Sequence, residues 1–170
     1  MQDEPVLGSE FDALSAVTSS ERTVAECIRA LVAEEAFAVL CTQGDGQPYG
    51  SVVAYAFDPE LRSFVFATPR ATRKYRLLSQ CEQVALVVDN RGRYPGDLMK
   101  VEAVTMTGRA EQLELGPEFE ARAGLLTKRH PYLKSFVASP STALFRVDAV
   151  RFLHVTRFQE VHQWIPAMDG

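Results

Sequence analysis

Hydrophobic and polar positions change period several times along the chain. Near the start, Val24, Ile28 and Leu31 recur at helical spacing, with Glu35 on the same stripe and Cys27 and Val32 beside it. That spacing predicts an amphipathic helix over 21–35. Thr23 and Glu26 have capping-box spacing at its start. Glu34 and Glu35 stand at its end, where the helix dipole disfavours negative charge, so the β-favouring run that follows is expected to stop it. The period then drops to two. Phe37 to Thr42 reads as a strand, Gly44-Asp45-Gly46 as a hairpin turn, and Gly50 to Phe57 as a second strand. This second strand is apolar on both faces, with Val53, Tyr55 and Phe57 on one and Val52, Ala54 and Ala56 on the other. Such a strand is expected to be covered on its outer side by a helix, a ligand or a partner subunit. Asp58-Pro59-Glu60 turns the chain into a third strand, Arg62 to Thr68.

A helix over 71–79 follows, with Ala71, Tyr75 and Leu78 on its packed face. Gln83 to Asp89 is a fourth, very apolar strand. Residues 89–98 hold two glycines, a proline and several charges, which predicts a surface loop or a lid. In the fifth strand, Val101 to Ala110, Thr105, Thr107 and Arg109 share one face and Val104, Met106 and Gly108 the other. Gly108 marks a bulge or a close backbone approach. Pro117 opens a helix that runs to Lys128, with Phe119, Arg122, Ala123 and Leu126 on one side. His130-Pro131 ends it, and a short helical turn extends to Val137. Ala143 to Val147 and Arg151 to Phe158 are the last strand or strand pair, and Trp164 and Pro166 follow without a clear period. Consecutive strands with short loops exclude a doubly wound sheet. They predict a mainly β fold, an antiparallel barrel of six to seven strands with peripheral helices. Residues 1–18 are weakly patterned and read as an N-terminal arm. Residues 19–170 read as one domain, for which the length is sufficient.

Composition is ordinary for a globular chain, but the charge is unevenly placed. From Leu61 to Cys81 there is no acidic residue and there are five Lys or Arg; the whole chain is −4, so the remainder carries −9. The third strand ends and the next helix begins inside this stretch. A helix N-terminus has free N–H groups and a positive dipole end, yet Arg73 and Lys74 occupy its first turn. A phosphate placed there would satisfy the N–H groups, the Thr68 and Thr72 hydroxyls and both cations together. The plainer alternative is solvated surface charge with Thr68 or Thr72 as N-cap.

Other chemistry is sparse. The acidic balance argues against general nucleic-acid binding. Cys27, Cys41 and Cys81 form no CxxC and no disulfide framework. Cys27 and Cys41 are expected to be buried thiols, and a cytoplasmic, reducing setting fits best. No apolar run approaches the length of a membrane span, and the acidic N-terminus lacks a signal-peptide pattern. There is no GxxxxGK[ST], GxGxxG or GxSxG, and His130, His154 and His162 lack metal-ligand spacing. His154 reads as a packed strand residue and His130 as a favourable helix-end residue. An organic cofactor held by its phosphate would bring its own reactive atom.

The runs Gln47-Pro48-Tyr49-Gly50-Ser51-Val52-Val53, Phe66-Ala67-Thr68-Pro69-Arg70-Ala71-Thr72-Arg73-Lys74-Tyr75-Arg76-Leu77-Leu78 and Val84 to Val88 share an order and spacing. Together they resemble the pyridoxamine 5'-phosphate oxidase-like, FMN-binding split-barrel family. Val104 to Ala110 is similar to that family's strand ending in Gly-basic-Ala. The resemblance covers about 35–158 and implies a homodimer with FMN at the subunit interface, acting as an oxidoreductase on a small-molecule substrate. It implies that Thr68, Thr72, Arg73 and Lys74 hold the flavin phosphate. Ser51, Val52 and Val53 would lie along the phosphate, ribityl chain and ring edge. The oxidase proper has an arginine where Ser51 stands, and Arg70 is the candidate replacement. Its fifth-strand glutamine falls at Ala103, and its C-terminal arginine–histidine pattern is missing near Trp164, so oxidation of pyridoxine phosphate is not expected. His130-Pro131 before a strand pair also resembles a haem-utilisation branch of the fold, whose Gly-Phe-Gly segment reads Thr156-Arg157-Phe158 here. A non-catalytic flavin- or haem-binding protein is therefore the alternative expectation.

Overall fold

A computed structural model of the protein describes residues 22–157 and 159–167. The arm expected over 1–18 lies outside the described residues. Helix α1 (Val24–Glu34) is followed by strands β1 (Phe37–Gly44), β2 (Gln47–Phe57) and β3 (Ser63–Pro69). Then come α2 (Arg73–Gln80), β4 (Gln83–Asp89), β5 (Ala103–Gln112), α3 (Pro117–Arg129), α4 (Lys134–Val137), β6 (Thr142–Thr156) and β7 (Glu160–Trp164). All pairings are antiparallel, in the order β3-β2-β1-β4-β5-β6-β7. A further pairing of β3 with β6 closes six of the strands into a barrel and leaves β7 as an added edge. The architecture is thus the expected mainly β barrel with peripheral helices.

Alternation along the strands fills the barrel. Leu40, Tyr55, Phe64, Phe66, Leu86, Met106 and Phe152 point inward and are fully buried. Helix α1 adds Ile28, Leu31 and Val32 to this core. A second, smaller core lies outside the wall, where α3 and α4 set Ala123, Leu126 and Val137 against Ala56, Val65 and Leu144.

Local signals explain most element ends. Thr23 and Glu26 form both halves of the capping box. The hairpin turn is Asp45-Gly46, both left-handed at φ 53° and 74°, the conformation a two-residue turn between twisted strands requires. The acidic end of α1 gets its cation from elsewhere. Arg129, at the end of α3, donates to the carbonyls of Val32 at 2.7 Å and Glu35 at 2.6 Å. Its guanidinium lies 4.9 Å from the Tyr55 ring centre and 5.0 Å from that of Phe57. Arg93 bridges Glu34 at 2.8 Å and Glu35 at 2.6 Å. The 89–98 segment is therefore tied to α1, and it contains short 3-10 turns at Arg91–Arg93 and Leu98–Lys100.

Several expectations are corrected. Of the last strand or strand pair expected, the single strand is formed: β6 is continuous, and a register shift between Thr107 and Gly108 lets β5 follow it through a bend. Trp164 belongs to a seventh strand, and its ring packs 5.2 Å from that of Phe152. Helix α2 starts at Arg73 with Thr72 as N-cap, so Ala71 precedes the helix and is exposed. Cys27 and Cys41 are half-buried rather than buried; Cys41 faces the outside of β1, as Val39 does. Among the described residues no helix is long and apolar enough to cross a membrane.

At Gly108 a Cβ would collide with the carbonyl oxygen of Asp148 on β6. Gly108→Ala is expected to lower stability by roughly 2 kcal/mol, the cost of overpacking against backbone. Urea unfolding measures it, and an unchanged midpoint would contradict the close approach at this bulge.

Candidate functional site

The site begins where two strands part. β2 and β3 pair only over Tyr55↔Phe66, Ala56↔Val65 and Phe57↔Phe64. Before Tyr55, β2 keeps its ladder with β1 alone; beyond Phe66, β3 keeps its ladder with β6 through Ala67↔Leu144, Thr68↔Ala143 and Pro69↔Thr142. Continuing the lost register would set Ala54 opposite Ala67 and Val53 opposite Thr68. The β3-side edge of Ser51, Val52 and Val53 and the end of β3 at Thr68 therefore border one split. Backbone N–H and C=O groups along such an edge need partners from solvent or a ligand.

Helix α2 starts at the end of β3, on the same side. Thr68 is fully buried, and its hydroxyl lies 3.1 Å from that of Thr72. The Thr72 hydroxyl donates to the Pro69 carbonyl at 2.9 Å and accepts from the Tyr75 amide at 3.2 Å. With its single proton on Pro69, Thr72 accepts from Thr68. The next two amides, of Arg73 and Lys74, have no acceptor among the described residues. They are the free N–H groups that any helix start presents.

The cations around this start are held without carboxylates. The Arg73 guanidinium lies 5.0 Å from the Tyr49 ring centre. Lys74 is half-buried, pairs with no acid among the described residues, and burial pushes its pKa down. Arg70 donates to the Pro140 carbonyl and to the Tyr75 hydroxyl, both at 3.3 Å. It is thus turned toward the start of β6, and of the basic residues here it is the one already hydrogen-bonded. Ser51 has a buried hydroxyl with no hydrogen-bond partner. Strand alternation puts Tyr49, Ser51 and Val53 on one face of β2 and Val52 on the other.

Val52 and Val53 differ sharply. Val53 is in the barrel core at 4% exposure and pairs with Ala38 of β1, whereas Val52 is 68% exposed on the outer face. Val52, Val39, Val87 and Thr105 stand in register across β2, β1, β4 and β5, the last three half-exposed. Helix α3 covers β2 only near Ala56. The cover expected over both faces of β2 therefore comes from a helix at one end, and at Val52 none is supplied among the described residues.

The histidines take no part in the split. His130 is buried, with Nε2 2.9 Å from the Tyr55 carbonyl and its ring stacked on Phe37. His154 is buried with Nε2 3.5 Å from Glu102, and burial pushes its pKa down. No group of three His, Cys, Asp or Glu among the described residues could hold a metal ion.

Residues 24–156 match the family described as pyridoxamine 5'-phosphate oxidase. The chain belongs to this family. Its closed barrel is the fold of that family's split-barrel relatives. Comparison with curated proteins returns no match. Among solved structures, a haem-binding protein from Mycobacterium smegmatis is similar with a TM-score of 0.77 and 18% identity, covering 86% of this chain and 60% of the other. The chain thus spans three fifths of that protein's length. The haem storage protein HutZ from Vibrio cholerae has a TM-score of 0.64 and 15% identity, covering 82% and 92%. An FAD-binding protein from Mesorhizobium loti has a TM-score of 0.62 and 18% identity, covering 78% and 94%. At these identities the likeness is one of fold.

Of the residues singled out from the sequence, Thr68, Thr72, Arg73 and Lys74 gather at one helix start, Ser51 and Val52 stand on the adjoining free stretch of β2, and Val53 directs its backbone to β1. Tyr49 was missed. Its alternation with Ser51, just ahead of a cation-rich helix start, was the available signal.

Lys74 opposes folding, since its folded-state pKa lies below its unfolded value. The opposition is complete below the folded value and is relieved as pH rises through it. Lys74→Met is therefore expected to raise the stability of the ligand-free protein at neutral pH by roughly 0.5 kcal/mol or more. Thermal unfolding checks this, and a loss of stability would show that Lys74 is engaged within the fold.

Proposed function

We propose that this chain binds FMN by its phosphate at the β3–α2 turn. As a homodimer it uses the flavin as an oxidoreductase, passing hydride or electrons between a reduced donor and a small-molecule acceptor. The observation that carries the proposal is the start of α2, where two cations without carboxylate partners stand beside two free amides at the split. A singly or doubly charged phosphate is the ligand such a site balances.

The residues present fit the cofactor. Arg73, Lys74 and their amides would hold the phosphate, with the Thr68 and Thr72 hydroxyls turning toward it. Ser51, whose buried hydroxyl is unpartnered, would give the phosphate or the ribityl chain a donor. The free backbone edge of β2 would hydrogen-bond the polar rim of the ring, and Val52 would cover its apolar surface. Arg70 would join only by releasing Pro140 and Tyr75. When bound, the flavin supplies the two-electron chemistry. The chain's part is to orient the ring and exclude water, and no side-chain acid or base is needed at the split for that.

The homodimer is supported by the outer row of Val39, Val52, Val87 and Thr105, a mostly apolar strip on a strand face left uncovered among the described residues. A small-molecule substrate and a cytoplasmic setting complete the proposal. Haem binding is a second reading, supported by the names of two proteins of similar fold. The buried, hydrogen-bonded positions of His130 and His154 weigh against it, since an axial ligand needs a free ring nitrogen. Among the histidines, His162 is half-exposed.

The test is the visible spectrum of the purified protein with the released cofactor identified by mass. Flavin bands and an FMN mass are expected. A colourless protein that fails to take up added FMN would overturn the flavin reading, and a Soret band would put haem in its place.

A further inference from the structure

We infer that Tyr49 is a positioning residue for the anion site. Its ring holds the Arg73 guanidinium in place without neutralising it, so that Arg73 distinguishes a phosphorylated ligand from its unphosphorylated counterpart. The inference rests on the flavin-phosphate reading above.

Arg73 is exposed and is the first residue of α2, and its guanidinium lies 5.0 Å from the Tyr49 ring centre. An unrestrained arginine at a helix start samples many rotamers, and fixing it on a ligand costs conformational entropy. A carboxylate would fix it but would also cancel its charge and occupy its donors. A ring face attracts the cation through its quadrupole and leaves the N–H groups of the fork free.

Three other guanidiniums of the fold show a contrast. Arg146 is held by Glu111, Glu118 and Asp148. Arg93 is held by Glu34 and Glu35. Arg129 also lies on rings, but it donates to the carbonyls that end α1. These three have spent their donors on the protein. Arg73 makes its ring contact and no hydrogen bond or ion pair among the described residues.

Tyr49 is itself well placed to hold a cation. It is half-buried in β2 and lies opposite Thr42, whose hydroxyl donates to the Tyr49 carbonyl at 3.2 Å. Two residues on, along the same face, stands the unpartnered hydroxyl of Ser51. Ring and guanidinium thus stand together at the start of α2, and Tyr49 acts through Arg73 rather than on the ligand.

The experiment titrates FMN and riboflavin separately into the full chain, following flavin fluorescence. It uses the unsubstituted protein, Tyr49→Phe, Tyr49→Leu, Arg73→Ala and the Tyr49→Leu/Arg73→Ala pair, each checked for folding by thermal unfolding. Tyr49→Leu is expected to weaken FMN about threefold and leave riboflavin unchanged, the size of an exposed cation–π contact. Tyr49→Phe keeps the ring and is expected to retain FMN affinity. In the Arg73→Ala background the Tyr49→Leu change is expected to have no further effect, since the two residues form one unit. Equal losses for FMN and riboflavin, an additive loss in the double variant, or unchanged FMN affinity in Tyr49→Leu would overturn the inference and leave the flavin reading standing. Failure of the unsubstituted protein to bind FMN would overturn both.

Discussion

Strand β3 has two neighbours, and it keeps only one of them along its whole length. Its ladder with β6 runs from Ser63↔Asp148 to Pro69↔Thr142, whereas its ladder with β2 ends at Tyr55↔Phe66. Closing the barrel through β6 therefore opens it against β2, and much of the rest follows from that parting. The unpaired edge of β2 exposes backbone donors and acceptors beside Ser51, Val52 and Val53. The end of β3 carries the buried Thr68 and directs the chain into α2, whose free amides face the same region. A fully paired β2 and β3 would leave no room for a ligand between them and no reason for the cations at Arg73 and Lys74.

Those cations act against the fold that holds them. A positive helix start, a half-buried lysine without an acid, and an arginine resting on a tyrosine ring are arrangements that a purely structural role would not favour. Elsewhere the same chain compensates its charges carefully. Arg129 answers the acidic end of α1 from the far end of α3, and Arg146 sits among three carboxylates. The proposed phosphate site rests on this contrast, which is independent of the membership in the pyridoxamine 5'-phosphate oxidase family.

Much of this was legible in the sequence because it depends on local chemistry. The capping box at Thr23 and Glu26, the Asp45-Gly46 turn, the bulge at Gly108 and the cation-rich start of α2 each follow from a few adjacent residues. The parting of β2 from β3 was not legible, since the pattern within either strand is the same whether or not a neighbour is present. The seventh strand escaped notice because an edge strand is held by backbone pairing, and its half-buried residues show no clean alternation. The role of Arg129 has no sequence signal for another reason: it acts on the carbonyl end of α1, distant in the chain. The two apolar faces of β2 were read correctly as composition, but Val53 turned out to be core and Val52 surface.

The most direct test of where the phosphate sits is backbone hydrogen exchange, compared with and without FMN. Added protection is expected at the amides of Val52 and Ala54 along the free edge of β2 and of residues 73–76 at the start of α2. Little change is expected at β7 or around His130. Protection confined to β7 and its neighbours, or spread evenly with no excess at these two segments, would contradict the placement of the ligand at the split.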